Sequence, residues 1–267
     1  MKKILLTISA FFLLLSCTDD ITNLNEDTKN PSVVPAEYLF SNAQKNLVDQ
    51  MTSTNVNNNV FRLFVQHWTE TTYTDESNYD ITTRTIPDRH FRVIYRDVLK
   101  NLAESKKILL TEVYAGTTQE VADQNAVRNN KIAIIDIYSA YSYSILVDTF
   151  GNVPYTEALD IENHPNPKYD DAKTIYKDLV SKLTASVNSM DTTKDSFDTA
   201  DLIYGGDMTK WKKFANSLKL KLAINLDDVD HTYATTQALA AVASGVITNS
   251  SDNAKLKYLS VQTNTNP

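Results

Sequence analysis

Apolar residues recur every three or four positions along most of this chain after residue 35, and no stretch alternates convincingly between apolar and polar residues. A period of three to four places apolar side chains on one face of an α-helix, whereas alternation would indicate a half-buried strand. The pattern therefore predicts an all-α domain over residues 36–267.

The first three predicted helices cover residues 36–51, an apolar block that begins at residue 60, and residues 89–110. Each has apolar residues on one face and polar residues on the other, as a helix packed on a core requires. The spacing directs these residues of the first helix inward: Tyr38, Leu39, Ala43, Leu47 and Met51.

Two later helices have recognisable ends. A long helix over 119–148 should stop at Gly151, which can take the left-handed capping conformation, and Pro154 prevents its continuation. Either Asp170 or Asp171 is expected to cap the next helix, which extends to about residue 190.

A fifth helix should start near Met208 and bury Trp211 and Leu222 on its inner face. Its lysines are predicted to lie mostly in solvent: Lys212, Lys213, Lys219 and Lys221. Successive helices joined by loops suggest tetratricopeptide-like helical pairs, although no clean repeat signature is present.

The N-terminus has the layout of a bacterial lipoprotein signal. Two lysines precede an apolar run that is too short to span a bilayer; the run ends at Leu15, and Ser16 directly precedes Cys17. Residues 1–16 are therefore predicted to be a cleaved signal peptide and Cys17 the lipidated residue. The alternative is a buried apolar cysteine within an ordinary signal peptide.

Residues 17–35 are rich in Asp, Asn, Thr, Ser and Pro and are predicted to be a lipidated tether, with a packed arm as the alternative. Asp19 and Asp20 resemble the acidic signal that sends lipoproteins to the cell surface in Bacteroidetes. The expected location is thus the outer membrane, facing the outside of the cell, with the acyl chains as the anchor.

Charge and cysteine content exclude several functions. Loss of the leader, with Lys2 and Lys3, changes the formal net charge from −7 to −9, which disfavours nucleic-acid binding. Cys17 is the only cysteine, so disulfides and thiolate metal sites are excluded once it is lipidated. The four histidines are scattered, and neither a zinc motif nor a cofactor motif is present.

Three segments are more specific than the helical pattern. Residues 148–159, DTFGNVPYTEAL, resemble the D-x-F-G-x-V-P-Y-x-E-A segment of the SusD/RagB family of outer-membrane nutrient-binding lipoproteins. Residues 167–170, PKYD, with 175–179, IYKDL, resemble that family's next block, and residues 204–220 resemble the one after. The order and spacing of the three segments match as well.

The resemblance implies a helical nutrient-binding domain that covers a SusC-type TonB-dependent transporter and passes a glycan or peptide inward without breaking a bond. It implies no enzymatic activity and no cofactor. Family members run to about twice the length of this sequence, so the resemblance covers the N-terminal portion only. The sequence is therefore expected to be part of a longer protein or a gene fragment.

The polar segment 66–80, QHWTETTYTDESNYD, has the ingredients of a glycan site. Sugars need aromatic platforms for their ring faces and amides, carboxylates or arginine for their hydroxyls. The candidate ligand-binding residues are Trp68, Tyr73, Asn78, Tyr79, Asp80 and Arg84. The alternative for Trp68 is a core position at the end of the helix that starts at residue 60.

Other functions remain open from the sequence alone. A glycoside hydrolase could use two carboxylates from this segment, drawn from Glu70, Asp75, Glu76 and Asp80. A surface array that holds partner proteins would have the same fold, and the ligand could be a peptide. A calcium site at Asp195, Asp198 and Asp201 lacks a known spacing, and these carboxylates are expected to be solvated.

Overall fold

Helices account for most of the chain in the computed structural model, which describes residues 34–82, 84–261 and 265. This confirms the all-α prediction. The predicted signal peptide, Cys17 and nearly all of the predicted tether lie outside the described residues, so lipidation stays a prediction. Within the described part of the chain, no helix is both long and apolar enough to cross a bilayer.

The α-helices are α1 (Ala36–Thr52), α2 (Phe61–Phe64), α3 (Ile86–Arg92), α4 (Lys100–Thr111), α5 (Thr118–Phe150), α6 (Ala172–Ser189), α7 (Met208–Asn225) and α8 (His231–Ala243). A π-helical segment, Val93–Leu99, joins α3 to α4. Short 3₁₀ turns lie at Glu76–Asn78, Asp198–Ala200 and Ser250–Asp252. Strands β1 (Val153–Pro154) and β2 (Tyr169–Asp170) pair antiparallel, with Val153 opposite Asp170.

The helix ends follow from capping chemistry. Helix α5 stops at Phe150, and Gly151 has the positive φ predicted for it, 74°, although its ψ of −117° differs from the left-handed helical value. Of the two candidate caps for α6, Asp171 accepts a hydrogen bond from the Thr174 amide at 2.9 Å. Asp170 belongs to β2 instead and accepts from the Thr156 amide at 2.7 Å.

Neighbouring helices pack in sequence order. Helix α1 lies against the π-helical segment and α4, and each helix from α5 to α8 packs on the next. Aromatic rings join these layers at the centre: Phe40 of α1 stacks on Phe197 at 4.1 Å, and Tyr138 of α5 contacts the rings of both Phe40 and Trp211. This arrangement fits the predicted tetratricopeptide-like pairing of helices.

The inner face of α1 differs from the predicted one. Tyr38 is 67% exposed, whereas Ala36, Phe40 and Gln44 are buried. Ala43 and Leu47 are buried as predicted. Gln44 was missed because the prediction counted apolar residues only, whereas the error at Tyr38 is one of position around the helix. Gln44 is polar, and it is buried because it forms hydrogen bonds with a loop more than 150 residues away.

One expectation for the C-terminal helices was also wrong, and one helix was missed. Lys219 is buried rather than solvated, and its amine donates to the Thr184 hydroxyl at 2.9 Å across the α6–α7 packing. Helix α8 was not predicted at all. Its buried residues are only Ala234 and Ala241, so it carries no periodic pattern of large apolar side chains.

Asp201 was expected to be solvated, and it is buried. Its Oδ1 accepts from Gln44 Nε2 at 2.8 Å and from the Ile203 amide at 3.1 Å. Its Oδ2 accepts from Trp211 Nε1 at 2.6 Å and from the Gly206 amide at 3.0 Å. With four donors, the carboxylate ties the loop before α7 to both α1 and α7.

Candidate ligand-binding site

The segment with the candidate residues begins at the short helix α2, which Arg62 attaches to the end of α1. Its guanidinium donates to the carbonyl oxygens of Ser53 and of Thr52, the latter at 3.0 Å. The last carbonyls of a helix lack partners within the helix, so a cation at this end is favourable. Arg62 thereby gives the following loop a fixed starting point.

Trp68 lies against this arginine. The Arg62 guanidinium is 5.0 Å from the centre of the indole ring, and the Trp68 amide donates to the Arg62 carbonyl at 3.2 Å. The side chain is 45% exposed, so Trp68 is not the core residue that the alternative interpretation required. An indole backed by a cation and open to solvent is suited to stacking against a sugar ring.

Tyr79 lies beside α2 as well. Its hydroxyl donates to the Phe64 carbonyl at 3.0 Å, and its ring centre is 5.7 Å from that of Phe64. The side chain is nevertheless 56% exposed. Trp68 and Tyr79 are thus both held on α2, by Arg62 and Phe64 respectively.

Tyr73 is the most exposed of the candidate aromatic residues, at 82%, and makes no hydrogen bond or ring contact with the described residues. The structure therefore does not bring it into contact with the other candidates. Gln66, Tyr73 and Tyr79 all have φ between 56° and 63°. Such values cost about 1–3 kcal/mol per residue other than glycine and concentrate at binding sites.

An ion pair between half-buried Arg84 and buried Glu76 closes the base of the loop. Glu76 is buried, and Arg84 donates to both of its carboxylate oxygens, with Nη2 2.8 Å from Oε2. Burial alone would raise the pKa of Glu76, but the hydrogen bonds and positive charge of Arg84 outweigh it and hold the pKa below its usual value. Arg84 also donates to Asn57. Its donors therefore support the loop, whereas it was predicted to bind ligand hydroxyls.

Asn78 and Asp80 flank Tyr79 and are exposed. Asn78 Nδ2 donates to Thr74 Oγ1 at 3.2 Å, and Asp80 Oδ1 accepts from Thr82 Oγ1 at 2.9 Å. These local bonds fix both side chains at the surface. An amide and a carboxylate beside an exposed tyrosine are the groups that sugar hydroxyls require.

An apolar cavity of about 660 Å³ adjoins the loop and was not predicted. Phe61 and Phe64 of α2, Ile81 from the end of the loop and His90 of α3 line it, and the end of α5 completes the wall. No local sequence pattern indicates this cavity, because its lining residues come from separate parts of the chain.

Neither catalytic nor metal chemistry gains support from this geometry. Of the four carboxylates considered for hydrolysis, Glu76 is held by Arg84. Among the residues that the structure describes, no group of three or more His, Cys, Asp or Glu side chains could hold a metal ion.

Packed helix pairs with an aromatic loop beside them define a helical-repeat protein with a candidate ligand site on one surface. A family model described as SusD-like, "Starch-binding associating with outer membrane", matches residues 28–267. The chain belongs to this SusD-like family, which confirms the resemblance found in its motifs.

Solved structures agree with the family. A SusD-like protein from Bacteroidetes is 26% identical with a TM-score of 0.69, and the match covers 85% of this chain and 40% of that one. A chitin-binding protein is 25% identical with a TM-score of 0.67 and coverages of 82% and 45%. A SusD/RagB family protein from Bacteroides thetaiotaomicron, at 19% identity, TM-score 0.66 and coverages of 85% and 46%, shows the same fold.

The chain spans less than half the length of these solved structures. No protein with a curated description matches the sequence. These matches show the family and the fold of the chain.

Proposed function

We propose that this protein is a cell-surface lipoprotein of the outer membrane that captures an oligosaccharide and delivers it to a SusC-type TonB-dependent transporter. The observation that carries the proposal is Trp68, an indole held on Arg62 and open to solvent, in the same loop as an exposed tyrosine, amide and carboxylate. We assign the ligand contacts to Trp68, Tyr73, Asn78, Tyr79 and Asp80.

Two comparisons support a glycan as the ligand. The description of the matching family refers to starch binding, and one of the similar solved structures is named a chitin-binding protein. Both ligands are polymers of pyranose sugars, whose apolar ring faces stack on aromatic side chains. The ligand class thus agrees with the chemistry of the loop.

The sequence supports the anchor and the location. The leader before Cys17 has the order of a lipoprotein signal, and Asp19 and Asp20 follow it as an acidic surface-export signal would. With a net charge of −9 after cleavage, the protein would gain little binding energy from contact with anionic lipid. The acyl chains would therefore supply the attachment to the membrane. The SusC-type partner rests on family membership alone.

The proposal is tested by isothermal titration of the mature, unlipidated chain against plant, host and microbial glycans. We expect saturable binding to one glycan class, weaker by about fivefold or more in Trp68→Ala, since stacking of one ring on an aromatic side chain contributes about 1–3 kcal/mol. Tyr38→Ala is the matched control, because Tyr38 is an exposed aromatic residue on α1 outside the loop.

Three results would count against this function. Binding heat with peptides but with no glycan would assign the protein to peptide capture. Equal losses of glycan affinity in Trp68→Ala and Tyr38→Ala would show that the loop is not the binding site. Release of new reducing ends from a bound glycan would show hydrolysis, which the proposal excludes.

A further inference from the structure

A polar groove lies between α1 and the segment formed by α3 and the π-helical turns after it. Arg89, Arg92 and Arg96 line one side, at spacings of three and four residues that place them close to one face. The residues that line the opposite side include three with amide side chains: Asn46, Gln50 and Asn58. The volume of about 240 Å³ lies below the range of about 300–1,000 Å³ usual for drug-sized ligands, so the groove suits one charged sugar.

Arg89 has no ionic partner in the part of the chain that the structure describes. Its side chain is exposed, and its guanidinium forms neither a hydrogen bond nor an ion pair with the described residues. The sequence has 33 acidic and 26 basic residues, so carboxylates are in excess and composition alone does not leave a cation unpaired. The guanidinium of Arg89 is therefore available to an anion from outside the protein.

The other two arginines also keep donors for a ligand. Arg92 Nε lies 3.5 Å from Asp88 Oδ2, and the two side chains are 48% and 67% exposed. Ion pairs this exposed contribute little to stability, so Arg92 can exchange its partner for a ligand at small cost. Arg96 donates to Asp97 from Nε at 2.7 Å and from Nη2 at 2.8 Å, which leaves the donors of its Nη1.

The carboxylates that line the groove are already neutralised. Asp97 is paired with Arg96, and Asp49 is paired with Lys45. When Lys45 and Asp88 are counted with the lining residues, four cations meet three carboxylates, and the surface has a net charge of +1. A positive surface on a protein with a net charge of −9 after cleavage is a local attraction for anions.

Arg62 connects the groove to the candidate glycan site. Its guanidinium donates to the carbonyl of Ser53, which lines the groove, and lies 5.0 Å from the centre of the Trp68 indole. The groove and the exposed indole thus adjoin the same side chain. A sugar chain that stacks on Trp68 can therefore place a neighbouring sugar in the groove.

We propose that the groove binds the anionic group of an acidic sugar, a carboxylate or a sulfate, so that the captured oligosaccharide is an acidic glycan. Arg89 and Arg92 bind the anionic oxygens, because a guanidinium fork matches two oxygens of one anion. The amides of Asn46 and Asn58 bind the neighbouring hydroxyls. An anionic lipid surface fits less well, because the net charge of −9 opposes its approach. This inference rests on the proposed function, since the loop binds the rest of the glycan.

Oligosaccharide pairs that differ only in charge test the anion. The mature chain is titrated calorimetrically with oligogalacturonide and alginate oligosaccharides before and after methyl esterification, and with carrageenan oligosaccharides before and after desulfation. We expect one acidic sample to bind about tenfold tighter than its neutral form, and its affinity to fall with rising salt. The two kinds of pair distinguish carboxylate from sulfate. Equal binding of every acidic sample and its neutral form would overturn the inference and leave glycan capture intact.

Arg89→Glu tests the groove itself. The acidic glycan should bind about tenfold more weakly, since loss of an exposed ion pair accounts for up to about fivefold and the new carboxylate repels the ligand. Lys107→Glu is the matched control, because it makes the same change of net charge at a 74% exposed side chain of α4, outside the groove lining. Circular dichroism confirms that both variants are folded. Equal losses of affinity in the two variants would overturn the groove assignment.

Trp68→Ala separates this inference from the proposed function. Loss of charge-dependent binding in both Trp68→Ala and Arg89→Glu would support one ligand that spans the loop and the groove. Loss in Arg89→Glu alone would keep the anion site and refute capture at the loop. Sedimentation with phosphatidylglycerol vesicles that Arg89→Glu abolishes, without charge-dependent binding of any glycan, would assign the groove to anionic lipid and overturn the acidic-glycan inference.

Discussion

Replacement of Asp201 by alanine should be among the most destabilising substitutions in this protein. The carboxylate accepts from two buried side chains, Gln44 and Trp211, and from two backbone amides. Alanine has no acceptor atom, so all four donors lose their partner. The polar groups of Gln44 and Trp211 then remain in the core without a hydrogen bond to Asp201.

The magnitude follows from the donors left unpaired. Each buried donor that loses its partner costs about 1–3 kcal/mol, less where water or a shifted chain replaces the acceptor. The two side-chain donors have least access to water, since Gln44 and Trp211 are fully buried. We therefore expect Asp201→Ala to lower the free energy of unfolding by about 3–5 kcal/mol.

Urea unfolding followed by circular dichroism at the helical band measures this change. Asp195→Ala is the control, since Asp195 is an exposed aspartate of the same loop, and it should change stability by less than about 0.5 kcal/mol. A loss below about 1 kcal/mol in Asp201→Ala would show that the carboxylate is not what joins this loop to α1 and α7.

Two further substitutions test individual features of the fold. Gly206 has a φ of 81°, and an added Cβ would lie 2.8 Å from the Asp198 amide nitrogen, so Gly206→Ala should lower the thermal midpoint more than Gly245→Ala. Gly245 has a similar φ of 92° but no neighbour within 4 Å, and equal midpoints would argue against the close approach. Because the pKa of His90 is lowered from 6.5 to about 4, the unfolded chain binds its proton at a higher pH than the folded chain. Stability should therefore fall by about 1 kcal/mol between pH 7 and pH 5.5, and His90→Phe should lack this part of the fall in urea midpoints. An unchanged pH dependence in the variant would contradict the burial of a neutral histidine.

Local signals in the sequence predicted local structure well. The end of α5 was predicted from Gly151 and Pro154, and Asp171 was one of two candidate caps for α6, because these effects act within one helical turn. The burial of Trp211 was predicted from its spacing with Leu222. At the two helix ends the deciding contacts lie within the same helix or beside its end, and Trp211 needed only a position on the apolar face of its helix.

Contacts between distant residues were not predictable in the same way. Gln44 and Asp201 are buried because they meet each other across 157 residues, which a pattern of apolar positions does not record. Lys219 is buried because its amine reaches Thr184 on the neighbouring helix. Polar residues with a distant partner have the same appearance in a sequence as polar residues in solvent.

The candidate site has some features that local sequence predicted and others that depend on contacts between distant residues. Residue types alone indicated an aromatic, polar loop, and the structure places Trp68 and Tyr79 on α2 with their rings exposed. The ion pair that supports this loop could not be predicted from the sequence, because the pairing of Arg84 with buried Glu76 depends on the fold of the turn. The cavity was hidden for the same reason, since its walls come from four separate parts of the chain.

The most direct test of glycan capture at the loop is a titration followed by tryptophan fluorescence. The protein has two tryptophans, of which Trp68 is exposed and Trp211 is fully buried. A glycan that stacks on Trp68 should change the emission saturably in wild type, and Trp68→Phe, which retains Trp211, should show no such change. A glycan that binds by calorimetry yet changes the emission equally in both proteins would contradict the account.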